Sequence, residues 1–446
     1  MANTYLTRTS VTPTNAQKGT ISLWVKRTGL SSTNKGRFFM NHLNSTSYGY
    51  TDFTGGDKLR CAIDDPSTVS IQTNRLFRDT SAWYHIVWSI DTTENTASDR
   101  VKLYVNGVQE TSFQVATYPN QNITLNLFNT SVSNGQVIGS YYTGSSYSGA
   151  FEGLISHYNF IDGTAYPASA FGETDTTTGQ WKINTSPSVT YGNNGFFILK
   201  DNNSVTDQSG KGNNFTLGAG TLTKTEDNPS NVFATLNPLA RFQVAPTYSN
   251  GNNTITAGGG GSGSSPFSTI GASSGKYYAE LSLGSVKGGG ISCGIIDITQ
   301  FNPNFQTDAW FYYPTYGYAY MSNNGNKGNN NAETSYANSY TNGDRIGVAM
   351  DLDNNKLYFA KNGVWQNSGD PTSGATGTGA AFTIADGTYG FAVYGYDSKV
   401  WNANFGNGYF GTSAVTSAGT AGSTPGTFEY DVPSGYQPLT TKGLNA

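Results

Sequence analysis

Charge, cysteine, histidine and helical periodicity are all scarce in this sequence, and each shortage excludes something. Charged side chains make up only 12% of the 446 residues and leave a net charge of −4. No block of Lys or Arg stands out, so an electrostatic grip on nucleic acid or on an anionic membrane is not expected. No apolar stretch is long enough to span a bilayer, and Met1–Arg8 lacks a basic segment running into an apolar one. Neither membrane insertion nor signal-directed export is therefore expected, and synthesis is placed in the cytoplasm. The two cysteines, Cys61 and Cys293, lie far apart and are read as small buried thiols, not a disulfide framework. His42, His85 and His157 are isolated in sequence, so no metal site and no cofactor is expected. Apolar residues at i, i+3, i+4 and i+7 never persist beyond about two turns. No 3.5-residue apolar repeat exists either, which argues against a coiled-coil stalk.

Glycine and aromatic side chains are abundant instead: 55 Gly, 29 Tyr, 24 Phe and 7 Trp. So much aromatic surface separates the chain from disordered sequences of similar polarity and implies folded strands joined by many turns. In Thr20–Arg27, Ile21, Leu23 and Val25 alternate with Ser22, Trp24 and Lys26, the period of a strand with one buried face. In Trp83–Ile90 the apolar side is Tyr84, Ile86, Trp88 and Ile90. Val101–Val105 runs into Asn106-Gly107 and Lys356–Lys361 into Asn362-Gly363, dipeptides that tolerate the positive φ of a two-residue hairpin turn. Core positions expected from the alternation are Ile21, Leu23, Val25, Ile86 and Trp88 in a first domain, and Ile346, Val348, Leu357 and Phe359 in a second. The fold class is all-β, two sandwiches spanning residues 1–172 and 233–446. Residues 173–232, rich in Asn, Thr, Asp and Gly, are read as a connecting region. The Gly-rich run at 258–263 suits a linker or a long loop, and without a following Gly-Lys-Ser/Thr it does not cradle phosphate.

Glycoside hydrolysis needs two carboxylates flanking one cleft. The pairs Glu173/Asp175 and Asp351/Asp353 have suitable spacing but sit in turn-like sequence, and they are read as solvated turn acids. No catalytic residue is assigned and no enzyme activity is expected. Asp52, Asp57, Asp64 and Asp65 cluster in loop-like sequence with no EF-hand spacing, and no Ca²⁺ is assigned to them. The richest feature is Trp310–Tyr320, where Tyr316, Tyr318 and Tyr320 share one strand face. Flat rings with a hydroxyl at the rim suit stacking on sugars, which makes Trp310, Tyr312, Tyr316, Tyr318 and Tyr320 the candidate ligand-binding residues. The competing structural role is packing across the sandwich. A smaller cluster, Tyr141, Tyr142 and Tyr147, looks like a loop with the same capacity.

Ala82–Val87, Val101–Val108, Val137–Gly139 and Phe151–Ile155 together resemble the laminin-G-like, concanavalin A-type lectin/glucanase family. Gly275–Glu280, Gly343–Asp351, Lys356–Phe359 and Lys361–Gly363 resemble, in order, a SPRY domain. That resemblance implies two tandem concanavalin A-like sandwiches. The tandem, with Phe160–Gly163, Asp207–Phe215, Phe233–Leu239 and Val432–Leu439 around and between the modules, is similar to structural proteins of marine tailed bacteriophages. By this resemblance the chain is a virion surface protein, tail-fibre-like or capsid-decorating, made in the host cytoplasm. Its implied partners are other capsid or tail proteins, in several symmetry-related copies, and a host-surface polysaccharide. A bacterial surface adhesin and a polysaccharide-degrading enzyme are the alternatives.

Overall fold

The computed structural model describes residues 4–30, 37–44, 47–64, 69–128, 135–200, 204–240, 244–258, 263–285, 291–300, 310–420, 422 and 425–445. Strands dominate, and the helical segments among the described residues are short 3₁₀ turns. The chain divides into two compact units, Met1–Lys224 and Thr225–Ala446.

In the first unit an eight-stranded sheet runs in the order Phe113–Thr117, Val69–Leu76, Lys58–Asp64, Ser47–Phe53, Arg37–Asn44, Gln136–Ile138, Tyr5–Arg8, Thr216–Ala219. It packs on a six-stranded sheet ordered Phe196–Ile198, Gly153–Asp162, Lys18–Arg27, Trp83–Asp91, Val101–Val105, Val108–Glu110. Ile21, Leu23, Val25, Ile86 and Trp88 lie in the core between the sheets, as the alternation predicts. In the second unit the long sheet is built around Val400–Asn404, Lys276–Ser285, Arg345–Asp351 and Lys356–Lys361. The facing sheet has the order Ala332–Thr334, Lys327–Asn329, Gly317–Met321, Ser292–Asp297, Tyr389–Tyr394. Ile346, Val348, Leu357 and Phe359 are buried between them. Cys61 and Cys293 are free, buried and in different units. Burial pushes both thiols up to about 12, so neither is a ready nucleophile.

Two sequence expectations need correction. Residues 173–232 are not a connecting region, because 173–224 belong to the first unit and 225–232 to the second. Phe196–Ile198 pairs with Gly153–Asp162, and Thr216–Ala219 pairs with Tyr5–Arg8. The polar composition that suggested a linker supplies hydrogen bonds to the backbone instead. Asp207 accepts from the backbone N–H groups of Phe197, Ser209 and Asn213 at 2.9, 2.8 and 2.8 Å. Asn194 Oδ1 accepts from the Val11 N–H at 2.7 Å, and buried Arg8 donates to the Asn194 carbonyl at 3.2 Å. Nor does Thr20–Arg27 have only one buried face, since Ser22, Trp24 and Lys26 are buried as well. A second apolar cluster covers the outer side of that sheet, with Ala168, Phe171, Tyr191 and Phe197 against Val87 and Ile161.

Candidate functional site

The aromatic run of the second unit is split between two faces of the strand Gly317–Met321. Tyr318 and Tyr320 point into the core between the sheets and are 6% and 0% exposed. The Tyr320 hydroxyl donates to the Asn338 carbonyl, and its ring packs on Phe359 with centroids 5.3 Å apart. The Tyr318 hydroxyl accepts from the Ala385 N–H at 3.1 Å. These two tyrosines are core residues and cannot stack on a sugar. The reason is geometric: a period of two puts them on one face but does not say which face is inward. Tyr312 is also buried, on the outer side of the sheet, with its hydroxyl donating to Glu333 at 3.1 Å.

Trp310 and Tyr316 remain, both half-buried, and with Tyr313 they pack against the outer cluster of Ile296, Ala319, Met321, Ala392 and Tyr394. Trp310 stacks on Tyr394 at 3.9 Å and 24°, and lies nearly parallel to Tyr313 at 6.2 Å. The structure therefore brings part of the expected set to one outer surface and adds Tyr313 and Tyr394 to it. In the first unit Tyr141, Tyr142 and Tyr147 form a short hairpin on the outer side of the eight-stranded sheet.

The acids are occupied structurally. Asp351 is fully buried, pairs with Lys276 at 2.9 Å and accepts from Asn354 at 2.9 Å, while Asp353 accepts from the Gly275 N–H at 2.7 Å. Glu173 and Asp175 both contact Lys182, at 3.8 and 3.0 Å, and the amides of Thr177 and Thr178 help hold Asp175 well below the usual carboxylate range. Asp52 is bound by Arg60 through both oxygens, and Asp57 by Arg27 and Arg78. Asp65, like residues 259–262 of the Gly-rich run, lies outside the described residues. No group of three His, Cys, Asp or Glu suited to a metal occurs among the described residues. His85 is fully buried, stacked on Trp24 at 4.9 Å, with the Trp181 ring nearly parallel to it at 5.9 Å and meeting its edge. Its Nδ1 accepts from the Trp181 indole at 2.9 Å, which leaves Nε2–H to donate to Ser22 Oγ at 3.0 Å. Burial pushes its pKa down to about 3.

Residues 1–169 match the family described as the concanavalin A-like lectin/glucanases superfamily, and residues 277–408 match the SPRY domain. The chain carries a concanavalin A-like domain and a SPRY domain. The crystal structure of the SPRY domain of human HERC1 is similar at 19% identity and TM-score 0.31, over 38% of this chain and 96% of that one. No curated protein matches the chain.

The two domains share a local device outside the candidate site. In the concanavalin A-like domain Asn106 Oδ1 accepts from the His85 N–H at 2.8 Å, and in the SPRY domain Asn362 Oδ1 accepts from the Arg345 N–H at 2.9 Å. Each following glycine has φ of 80° and lies beneath an aromatic ring, Trp181 over Gly107 and Tyr430 over Gly363. Tyr430 is held by Glu280, which has no solvent exposure and which sequence reasoning passed over. The Glu280 carboxylate accepts from the backbone N–H groups of Glu429 and Tyr430 at 2.8 and 2.9 Å, and from the Tyr278 hydroxyl at 3.2 Å. Burial pushes this carboxyl up to about 7 against the downward pull of those donors. A carboxylate in mid-strand, two residues after a tyrosine, was the available signal.

Proposed function

We propose that this chain is a non-enzymatic carbohydrate-binding protein displayed on the surface of a bacteriophage particle, with a host-surface polysaccharide as its ligand. A concanavalin A-like domain and a SPRY domain are compatible with carbohydrate binding or adhesion. The observation that carries the reading is the half-buried Trp310, stacked on Tyr394 and flanked by Tyr313 and Tyr316 on an outer sheet surface. Rings anchored by stacking on one face keep a fixed orientation, so little entropy is lost when a sugar packs against them. Occupation of Asp351, Asp353, Glu173 and Asp175 by lysines, amides and backbone N–H groups supports the absence of hydrolysis at those acids. Display on a virion, tail-fibre-like or capsid-decorating, rests on the similarity of the tandem and its connecting motifs to marine tailed-phage proteins. Docking onto capsid or tail proteins in repeated copies would make weak single-site binding effective through multivalency.

The experiment is to replace Trp310 and Tyr316 with Ala and follow particle adsorption to host cells together with incorporation of the subunit. Adsorption should fall while incorporation holds. Unchanged adsorption with normal incorporation would remove these residues from the site.

A further inference from the structure

The outer surface of the eight-stranded sheet in the concanavalin A-like domain holds a second aromatic cluster. The Tyr141–Ser148 hairpin lies on the strand Arg37–Asn44, with the Tyr142 N–H donating to Met40 Sδ at 3.4 Å. Tyr142, Tyr147 and Tyr5 form a continuous stack with centroids 4.5 and 4.0 Å apart. Beside it, the Arg37 guanidinium lies between the rings of Tyr50 and Tyr141, 3.9 and 3.8 Å from their centroids. Asp52 stands opposite Arg37 in register, yet both its oxygens are taken by Arg60, at 2.9 and 2.7 Å. Arg37 has no ion pair with a described residue, and its Nε is buried without an acceptor. On the same side, His42 is 4% exposed and meets the Tyr142 ring edge-on at 5.0 Å, and neither of its ring nitrogens has a hydrogen-bond partner among the described residues.

Unmatched buried polar groups are uncommon in folded proteins, and each costs about 1–3 kcal/mol. Here an arginine and a histidine, both incompletely matched, share one tyrosine-lined surface. We propose that this surface binds an acidic saccharide, with a uronic acid carboxylate against the N–H edge of Arg37 and the sugar ring packed along the edges of the stacked Tyr142, Tyr147 and Tyr5 rings. The two rings occupy both faces of the guanidinium, Tyr50 also shares a side-chain hydrogen bond with it, and what remains of its edge fits a carboxylate through charge-assisted hydrogen bonds. Cation–π contact holds the guanidinium in place before the ligand arrives. This site uses different residues from the Trp310 surface and stands apart from the reading made there.

The test measures binding of the full chain to polygalacturonate, to its methyl ester and to dextran sulfate. Polygalacturonate should bind. The methyl ester should bind at least tenfold more weakly, as should the Arg37→Gln variant with the acid, whereas Trp310→Ala should leave polygalacturonate binding unchanged. Absence of polygalacturonate binding, equal binding of the ester, or unchanged binding by a folded Arg37→Gln variant overturns the proposal. Equal retention of dextran sulfate overturns the assignment to a carboxylate. If Arg37→Gln does not fold, the acid-against-ester comparison on the unaltered chain decides. A Trp310→Ala variant that keeps polygalacturonate binding but not adsorption separates the two sites.

Discussion

Glu280 and His85 are the two buried titratable groups whose protonation most directly reports on the fold, and they act in opposite directions. Folding raises the Glu280 carboxyl from 4.5 to about 7, so its contribution is fully present below about pH 4.5 and is lost as pH rises through 7. Folding lowers the His85 imidazole from 6.5 to about 3, so its contribution is present above about pH 6.5 and is lost as pH falls toward 3. Each group alone changes stability by up to about 1.4 kcal/mol per pH unit inside its window. Glu280→Gln should cost about 1–3 kcal/mol, because the new amide turns a donor toward a backbone N–H. That cost, measured by denaturant melts, should shrink as pH rises from 4.5 to 7, and a pH-independent cost would show that Glu280 is ionised throughout. His85, followed by NMR in the folded chain, should remain neutral until the fold is lost. Titration near 6.5 would contradict its enclosure by Trp24 and Trp181. Neither role was legible in the sequence, since a lone histidine or a mid-strand glutamate carries no mark of the distant segment that bonds it.

Among elements, the hairpin turns were the most legible feature, because Asn-Gly has a local physical reason to be there. Asn106 and Asn362 have φ of 48° and 49° and their glycines 80°, as a turn with two left-handed residues requires. The rings covering those turns were not legible. A Cβ on Gly107 would lie 2.3 Å from the Trp181 ring, and one on Gly363 would lie 2.6 Å from Tyr430. Gly107→Ala should therefore cost about 2–4 kcal/mol, from left-handed strain and collision together. Combining it with Trp181→Ala should cost less than the sum of the single changes by at least about 0.5 kcal/mol. Strict additivity in thermal melts would mean that the indole does not press on the turn. The same limit explains the tyrosine stripe: Tyr318 and Tyr320 share a face as expected, but Tyr316 precedes the strand and packs on the outer cluster, and inward and outward tyrosines look alike in sequence. Only the facing sheet, with Phe359 and Phe382 against Tyr320 and Tyr318, distinguishes them.

For the whole molecule, the all-β class and both cores followed from period-two alternation, whereas the limits of the units did not. Asn, Asp and Gly between 173 and 224 serve turns that fasten the chain to the first sandwich, and composition alone cannot separate such a cover from a linker. A fragment of residues 1–224 should accordingly fold. One ending at residue 172 should aggregate, because it exposes Val87 and His85 and loses the edge strands Phe196–Ile198 and Thr216–Ala219. Circular dichroism and size-exclusion chromatography of the two fragments check this, and a soluble, cooperatively melting shorter fragment would refute it. The proposed function is glycan binding without cleavage, through the Trp310 surface. The most direct test is isothermal titration of isolated host-surface polysaccharide into the chain and into a Trp310→Ala, Tyr316→Ala double variant of equal melting temperature. Saturable binding by the unaltered chain is expected, with at least tenfold weaker binding by the variant, about 1.4 kcal/mol. Equal binding by both, or no binding by the unaltered chain, would contradict it.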